Sequence, residues 1–281
     1  MLDPGLYVVA TPIGNLQDIS LRALDVLGRV ALITAEDTRR SNVLLAHHGV
    51  KATLKSLHEH NEEQRVPELL DMIHAGAAIA LISDAGTPLI SDPGFRLVQA
   101  AASAGLPVIP VPGPSAVTAA LSVSGLPSDR FSFEGFLPAR DNARLARLSA
   151  LAGRKETLVF FESSHRIESS LGSMMQVFGA GRRAVICREL TKQFETVLRG
   201  SLSDLARQVH EDANQRKGEF VVLVHGADEE PNELDGLELA EALKEYLPPA
   251  QAARVAAKIS GGSRRDLYAA LESGKQEEQD K

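Results

Sequence analysis

The feature that most constrains the fold is the alternation of short, β-branched apolar runs with helical patterns. The runs are too short for typical helices and have the length expected of buried strands. They lie at 6–10, 30–34, 78–82, 107–111, 157–161, 184–187 and 219–224. Amphipathic stretches that end in glycine separate them, such as "RVPELLDMIHAG" and "HRIESSLGSMMQVFG". This alternation predicts an α/β fold with largely parallel sheets.

Two breaks divide the pattern into three regions. The turn-rich stretch 123–140 is expected to connect two α/β halves, and the acidic stretch 225–236 is expected to end the second half. We therefore predict an N-terminal α/β domain over 1–120 and a C-terminal α/β domain over 121–226. A helical extension over 227–281 follows.

Composition narrows the class of protein. The one cysteine, Cys187, excludes an internal disulfide and suggests a reducing compartment such as the cytoplasm. It lies within the apolar run "AVIC", which is typical of a core residue. No apolar run approaches the roughly 18 residues of a membrane span, so no membrane association is expected.

The net charge of −7 argues weakly against a nucleic-acid partner. The distribution of charge matters more, because basic residues concentrate in the segments 140–155, 182–199 and 254–265. These segments are consistent with a basic surface on an acidic protein. The alternative is that they are ordinary solvated helix faces.

The polar and glycine-rich residues follow the apolar runs, where ligands bind in open α/β sheets. Neither a G-x-G-x-x-G nor a G-x-x-x-x-G-K-[ST] pattern is present, so dinucleotide and P-loop nucleotide sites are unsupported. The loops instead combine glycine with proline, as at 86–88 and 112–114. Glycine lets the backbone of a loop approach a ligand closely, and proline fixes the shape of the loop. Loops of this kind suit a ligand that backbone groups hold in a bent conformation. Ordinary strand-to-helix turns are the alternative for any single loop.

Seven motifs, taken in order, resemble one known family. They are "TPIGNL", "AEDTR", "SDAGTPLISDPG", "VPGPSA", "FFESSHR", "RELTK" and "GEFVV". Over 6–226 they resemble the tetrapyrrole-methylase superfamily, and within it the bacterial 16S rRNA (cytidine-2′-O)-methyltransferases. The resemblance implies two α/β domains of the class III type, with S-adenosylmethionine (SAM) in the cleft between them and a homodimer as the usual assembly. It also implies 16S rRNA in the small ribosomal subunit as the substrate, methylated in the decoding region.

The resemblance also implies where SAM would bind. Asp84 and Thr87 should lie beside it, with Gly86 allowing close approach. The remaining cofactor-binding candidates are Pro12, Ser115, Ala116, Phe161, Leu190 and Phe220. Asp92, in the second turn of the longest motif, is expected instead to cap a helix that has Pro93 in its first position.

Methyl transfer to a ribose hydroxyl needs alignment, and a base or a polarising cation should help. The first catalytic candidates at the strand ends are Lys192 and Glu189. Asp37, Arg39 and Arg166 are candidates for contacts with the RNA substrate. No general base is carried over from the family.

Other chemistries fit the sequence less well. The neighbouring serines and histidine of "ESSHR" do not give the geometry of a hydrolase triad. The histidines of "HEH" lack the spacing of a metal site, and no metal is expected.

Two alternatives to an rRNA methyltransferase remain at this point. A methyltransferase of the same fold could act on a small molecule such as a tetrapyrrole, although a "GDP" turn would then be expected where this chain has "SDAGTP". A non-catalytic RNA-binding assembly protein could keep the fold without binding SAM.

Overall fold

The computed structural model of the protein describes residues 2–227 and 236–279, with the side chains of the last helix as far as Glu272. The chain divides into two compact units, Met1–Gly226 and Ala227–Lys281. The acidic stretch expected to end the second half lies mostly outside the described residues. Within the described part, none of the helices combines the length and apolar character that a bilayer crossing needs.

The first half of the larger unit is built on a parallel sheet of five strands in the order β3-β2-β4-β1-β5. The strands are β1 (Gly5–Val9), β2 (Leu32–Ala35), β3 (Leu54–Ser56), β4 (Ala78–Ile82) and β5 (Val108–Val111). The helices between them are α1 (Leu21–Leu27), α2 (Thr38–His47), α3 (Glu62–His74) and α4 (Phe95–Ser103). Every residue of β4 is buried, because separate apolar clusters cover the two faces of the sheet. Burial on both faces explains why the strands are continuous apolar runs.

The second half is built on a mixed sheet of five strands in the order β6-β7-β10-β8-β9. The strands are β6 (Phe131–Phe136), β7 (Thr157–Ser163), β8 (Arg183–Arg188), β9 (Thr196–Ser201) and β10 (Glu219–Val224). The helices of this half are α5 (Ala116–Ser124), α6 (Asp141–Leu151), α7 (Ile167–Phe178) and α8 (Leu202–Glu211). Only β6 and β7 pair in parallel, whereas the other three pairings are antiparallel.

The predicted α/β class is confirmed, but the expectation of largely parallel sheets is wrong for the second half. An apolar run indicates that a strand is buried but not whether it is parallel to its neighbours. The antiparallel orientation of β10 could therefore not be predicted. The missed strands β3, β6 and β9 all lie at sheet edges. Edge strands have fewer buried positions, and "LKS", "FSFEGF" and "TVLRGS" accordingly lack long apolar runs. The stretch 123–140, expected to be a connection, contains β6.

Helix α5 connects the two halves. It follows the last strand of the first sheet, yet its buried residues Val117, Ala120 and Leu121 pack with Val159 and Val221 of the second sheet. The division expected at 120/121 falls inside this helix. By packing, α5 belongs to the second half.

The smaller unit contains the helices α9 (Gly236–Lys244), α10 (Pro249–Ser260) and α11 (Arg264–Gln279). Its core is small and rich in alanine, which allows close helix packing. The buried residues of this core are Ala240, Ala252, Ala253, Ala256 and Leu271.

Helix α4 begins later than the sequence predicts. It starts at Phe95 after Gly94, which has φ +116°, so Asp92 is not the cap and Pro93 is not in the first turn. The buried carboxylate of Glu62 in α3 accepts a hydrogen bond from the Leu97 N–H at 3.0 Å and takes over the capping role. A cap supplied by another helix leaves no local sequence signal.

We expect Gly94→Ala to destabilise the protein. The positive φ disfavours alanine, and a Cβ at this position would lie 2.7 Å from Leu81 Cδ2 in the core. The expected loss is about 1–3 kcal/mol in the free energy of unfolding, measured by chemical denaturation. The control is Gly153→Ala, because a Cβ there meets no atom within 4 Å. The control should change stability by less than about 0.5 kcal/mol, and equal stability of the two variants would contradict this explanation.

Candidate functional site

A cavity of about 510 Å³ lies between the two halves of the larger unit. Its volume falls in the range of about 300–1,000 Å³ that is typical of small-molecule sites. The first half contributes the loops after β1, β2, β4 and β5 together with the start of α2, and the second half contributes β6, β7, β8 and β10 with their adjoining loops. Loops with little in common in sequence therefore meet at one place.

Hydrogen bonds join the loops of the first half. Thr11 and Gly86 exchange two backbone hydrogen bonds, with Thr11 N donating at 2.9 Å and Gly86 N donating at 3.0 Å. The Thr87 hydroxyl donates to Pro114 O at 3.0 Å, and the Asp37 N–H donates to Asp84 Oδ1 at 2.9 Å. The loops after β1, β2, β4 and β5 are thus connected through the loop after β4.

The two halves also touch directly beside the cavity. Asn15 N donates to the Thr191 hydroxyl at 3.0 Å. At Gly14 the approach is so close that a Cβ would lie 2.5 Å from Lys192 Cγ and 2.9 Å from Leu190 O. Glycine is needed at this position because any larger residue would push the halves apart.

Most of the cofactor-binding candidates line the cavity. These are Asp84, Gly86, Thr87, Ser115, Ala116, Phe161, Leu190 and Phe220. Pro12 is not part of the lining, and its neighbour Ile13 lines the cavity in its place. Phe220 reaches the cavity because β10 runs antiparallel, which brings the beginning of this strand, rather than its end, to the site.

The second half contributes an aromatic and apolar part of the cavity lining. Phe161 packs against Phe133 and Phe136 with ring centroids 4.8 and 5.7 Å apart. Cys187 also lines this part, and burial raises the pKa of its thiol to about 12, so it is a neutral apolar group at physiological pH. This agrees with its interpretation as a core residue.

Lys192 lines the cavity, whereas Glu189 does not. The Lys192 ammonium donates to Glu189 Oε1 at 2.9 Å and to Glu219 Oε2 at 2.8 Å. Partial burial alone would lower the pKa of Lys192, but these hydrogen bonds outweigh it and hold the pKa above its ordinary value. Lys192 is therefore a cation at neutral pH and is unsuited to act as a base.

Glu189 holds Lys192 in position. Burial raises the pKa of Glu189, but hydrogen bonds from Lys192 and from the Glu219 N–H have the larger combined effect, and the pKa is lowered. Both of these hydrogen bonds are accepted by Glu189 Oε1. The structure gives Glu189 a positioning role and does not direct it into the cavity.

The candidates for substrate contacts lie outside the cavity lining. Asp37 caps α2 and binds Arg39, whose hydrogen bonds lower the pKa of Asp37 to about 2. Arg39 itself is exposed. Arg166 forms an ion pair with Glu162 and donates to Leu137 O, so it braces the end of β7.

Sequence reasoning missed part of the acidic wall of the cavity. Glu36, Asp84 and Asp92 all line it, and Arg40 pairs with Asp84 at 3.2 Å. Burial raises the pKa of Glu36, with the charge of Asp84 adding to the effect. Glu36, in the "AEDTR" motif, is a further strand-end candidate for the reaction on sequence grounds, whereas Arg40, the residue after the motif, was not predicted. Asp92 was assigned to helix capping.

Backbone strain concentrates at the same site. Among the described residues, the non-glycine positions with positive φ are Leu89, Ser91, Glu189 and Thr191, at +74°, +65°, +50° and +66°. They lie in two loops that contribute to the cavity lining, one from each half. Such conformations cost about 1–3 kcal/mol each and persist where the surroundings impose them, which is typical of functional sites.

Across residues 2–227 and 236–279 no group of three or more histidine, cysteine, aspartate or glutamate side chains is arranged to hold a metal ion.

The sequence matches two family models. Residues 5–206 match the tetrapyrrole (corrin/porphyrin) methylases, and residues 230–274 match the RsmI C-terminal HTH domain. The chain is 55% identical to the ribosomal RNA small subunit methyltransferase I of Xylella fastidiosa, over 95% of this chain and 99% of that protein. It is 51% identical to the protein of the same name from Pseudomonas aeruginosa, over 94% of this chain and 95% of that protein.

Solved structures show the same fold at lower identity. Uroporphyrin-III C-methyltransferase from Thermus thermophilus gives a TM-score of 0.56 at 20% identity, covering 79% of this chain and 94% of that chain. A complex of that enzyme with S-adenyl homocysteine gives 0.53 at 18% identity, covering 78% of this chain and 96% of that chain. The methyltransferase CobJ gives a TM-score of 0.59 at 19% identity, covering 79% of this chain and 94% of that chain. The chain thus belongs to the tetrapyrrole methylase family and, within it, to the group of ribosomal RNA small subunit methyltransferase I proteins.

Proposed function

We propose that this chain is a SAM-dependent methyltransferase that methylates the 2′-hydroxyl of a cytidine in the decoding region of 16S rRNA. The principal support is the cavity built from loops of both halves, in a chain that shares half of its residues with proteins named for rRNA methylation. The substrate is proposed to be the small ribosomal subunit, in the cytoplasm.

The cavity suits SAM in size and in charge. Its volume of about 510 Å³ accommodates a ligand of this class. The carboxylates of Asp84, Glu36 and Asp92 face a single arginine, Arg40, so one wall favours a cationic ligand. Phe161 and Leu190 offer an apolar surface on the other side. When bound, SAM supplies a methyl group activated by its positively charged sulfur.

The residues of the chain would hold and align this donor. Asp84 and Thr87 would contact it from the first half, and Ser115 and Ala116 from the start of α5. The side chains of Thr87 and Asp84 already bind neighbouring loops, so they are held in place before the ligand arrives. Alignment of this kind can supply about 7–11 kcal/mol of the barrier reduction.

Lys192 is proposed to contribute its charge to the reaction. As a cation at the cavity wall, it can polarise the acceptor ribose or bind an adjacent phosphate. Glu189 and Glu219 fix its ammonium group from two sides. Its role is electrostatic and needs no loss of its proton.

Contacts with RNA are proposed for the smaller unit. Many arginines of the other basic segments serve the fold: Arg144 is buried and binds Ser173, and Arg188 donates to Lys217 O and Phe194 O. In the smaller unit, four basic side chains are exposed, and none of them pairs with a carboxylate among the described residues. They are Arg254, Lys258, Arg264 and Arg265. The last two begin α11.

A homodimer is proposed as the assembly, as the family resemblance implies. Large apolar side chains that a second copy could cover are exposed on the larger unit. They include Leu21, Val43, Phe95 and Phe194, which are 85%, 64%, 62% and 64% exposed.

The substrate assignment predicts methylation of rRNA. Tritiated SAM is incubated with the full chain and with small ribosomal subunits from cells that lack the corresponding enzyme. We expect label at one cytidine ribose, located by nuclease digestion and mass spectrometry. Subunits from cells that retain the enzyme are the control and should take up no label. Label on a tetrapyrrole substrate but not on rRNA would contradict the proposal, and absence of SAM binding would favour a non-catalytic protein.

The RNA-binding assignment predicts that Arg264→Ala/Arg265→Ala weakens binding to the small subunit by about tenfold. Loss of two phosphate contacts should also make the salt dependence of log Kd shallower by about 2. The control is Arg22→Ala/Arg29→Ala in and beside α1, which removes the same charge from another exposed surface. Equal effects of the two double variants on Kd and its salt dependence would contradict a specific role for α11.

A further inference from the structure

One aromatic ring of the cavity is largely open to solvent. Within the described residues, the aromatic side chains that line the cavity are Phe136, Phe161 and Phe220. Phe220 is 2% exposed and Phe161 is partly buried, whereas Phe136 is 53% exposed. Covering such a ring with a ligand is favourable, because apolar surface is then removed from water. The donor contacts proposed above do not include Phe136.

A β-bulge in β6 turns Phe136 to the cavity. Successive side chains of a regular strand alternate between its two faces, so Phe133 and Phe136 would point to opposite faces. The register against β7 shifts between Phe133 and Gly135, which leaves Glu134 without a partner in β7. Gly135 has φ of +65°, a conformation that glycine supplies in one class of bulge. Both phenylalanines consequently pack against the same ring, that of Phe161.

The surroundings hold the bulge and the ring in place. The carboxylate of Glu134 is 5% exposed and accepts hydrogen bonds from the Ser132 hydroxyl and from Arg147 in α6. The Phe136 ring meets the Phe161 ring at an interplanar angle of 65°, with the centroids 5.7 Å apart. The Phe136 ring is therefore supported by the fold on one side and open on the other.

A planar ring with polar edges is the ligand that suits this surface. The faces of nucleobases stack on aromatic side chains, and unpaired bases of RNA are recognised in this way. Ser163 and Ser164 line the same cavity, and their hydroxyls form no hydrogen bond with another described residue. These hydroxyls can donate to or accept from the polar edge of a base. Lys192 provides a cation in the same cavity for an adjacent phosphate.

We propose that Phe136 is the stacking surface for the base of the nucleotide that carries the acceptor hydroxyl. This inference rests on the proposed function and identifies how that site holds its RNA substrate. A base stacked on Phe136 brings its own ribose to the cavity that holds the methyl donor. Stacking on the ring also offsets part of the cost of removing this base from the stack of its RNA neighbours.

The test compares three variants of the full chain, Phe136→Ala, Phe136→Tyr and Phe136→Leu. Methyl transfer is measured at saturating SAM over a range of concentrations of small ribosomal subunits. Loss of one stacked base should lower kcat/KM for the subunits by about 5–150-fold in Phe136→Ala. Phe136→Tyr keeps an aromatic face and should retain kcat/KM within about threefold, whereas Phe136→Leu keeps only apolar volume and should be slower by at least about fivefold.

Phe131, at the other end of β6, is the matched control. Its side chain is 45% exposed and does not line the cavity. Phe131→Ala should leave kcat/KM within about twofold of the unmodified chain. For Phe136→Ala, calorimetry should give a Kd for SAM within about twofold of the unmodified chain, because the proposed donor contacts are intact. Sedimentation should show the same oligomeric state for all of these variants.

A second readout does not depend on turnover. The photoreactive residue p-azidophenylalanine replaces Phe136 or, as the control, Phe131. Each variant is irradiated with small ribosomal subunits, and primer extension locates the cross-linked nucleotides. We expect a cross-link from position 136 at the methylated cytidine or the nucleotide next to it, and none there from position 131.

Four results would overturn the assignment. The first is a kcat/KM for Phe136→Ala within about threefold of the unmodified chain. The second is equal activity of the leucine and tyrosine variants, which would indicate apolar packing in place of stacking. The third is a loss of SAM affinity or of a dimer that accounts for the loss of rate. The fourth is the absence of the cross-link from position 136. Failure of the proposed function looks different, because the unmodified chain itself would then transfer no methyl group to rRNA.

Discussion

The paired backbone hydrogen bonds between Thr11 and Gly86 are the contact on which the cavity depends. They join the loops after β1 and β4, two adjacent parallel strands whose carboxyl ends lie at the same edge of the sheet. From this bridge the loop after β4 reaches the loop after β2 through Asp84 and the loop after β5 through Thr87. Because backbone groups make the central bond, its geometry depends on the register of the sheet more than on side-chain identity.

The second half forms its side of the cavity with strands that run in both directions. Its sheet is mostly antiparallel, so β10 presents its beginning at the edge where β7 and β8 present their ends. Helix α5 packs on this sheet directly after it leaves the first, and Gly14 permits close contact beside Lys192. The relative position of the two walls is thus set by buried apolar packing and one glycine. The same arrangement brings a fixed cation, an acidic wall and an apolar surface to one space.

The sequence allowed prediction of what depends on local pattern. The α/β class, most strands and most of the cavity lining followed from apolar runs and the residues after them, together with a family resemblance. Prediction failed where a distant residue decided the outcome. Asp92 has the local context of a cap, but Glu62 from another helix performs that role. Arg144 has the pattern of a basic surface but is buried against Ser173. The directions of the strands in the second sheet could not be predicted, because an apolar run indicates that a strand is buried but not whether it runs parallel or antiparallel to its neighbours.

The central claim is that loops from both halves converge on one methyl donor, and hydrogen–deuterium exchange of the full chain with and without saturating SAM tests it most directly. The account predicts that SAM slows amide exchange together in 11–15, 83–87 and 113–116 of the first half and in 189–192 and 218–221 of the second half. Protection confined to one half, or no protection in any of these segments, would contradict it.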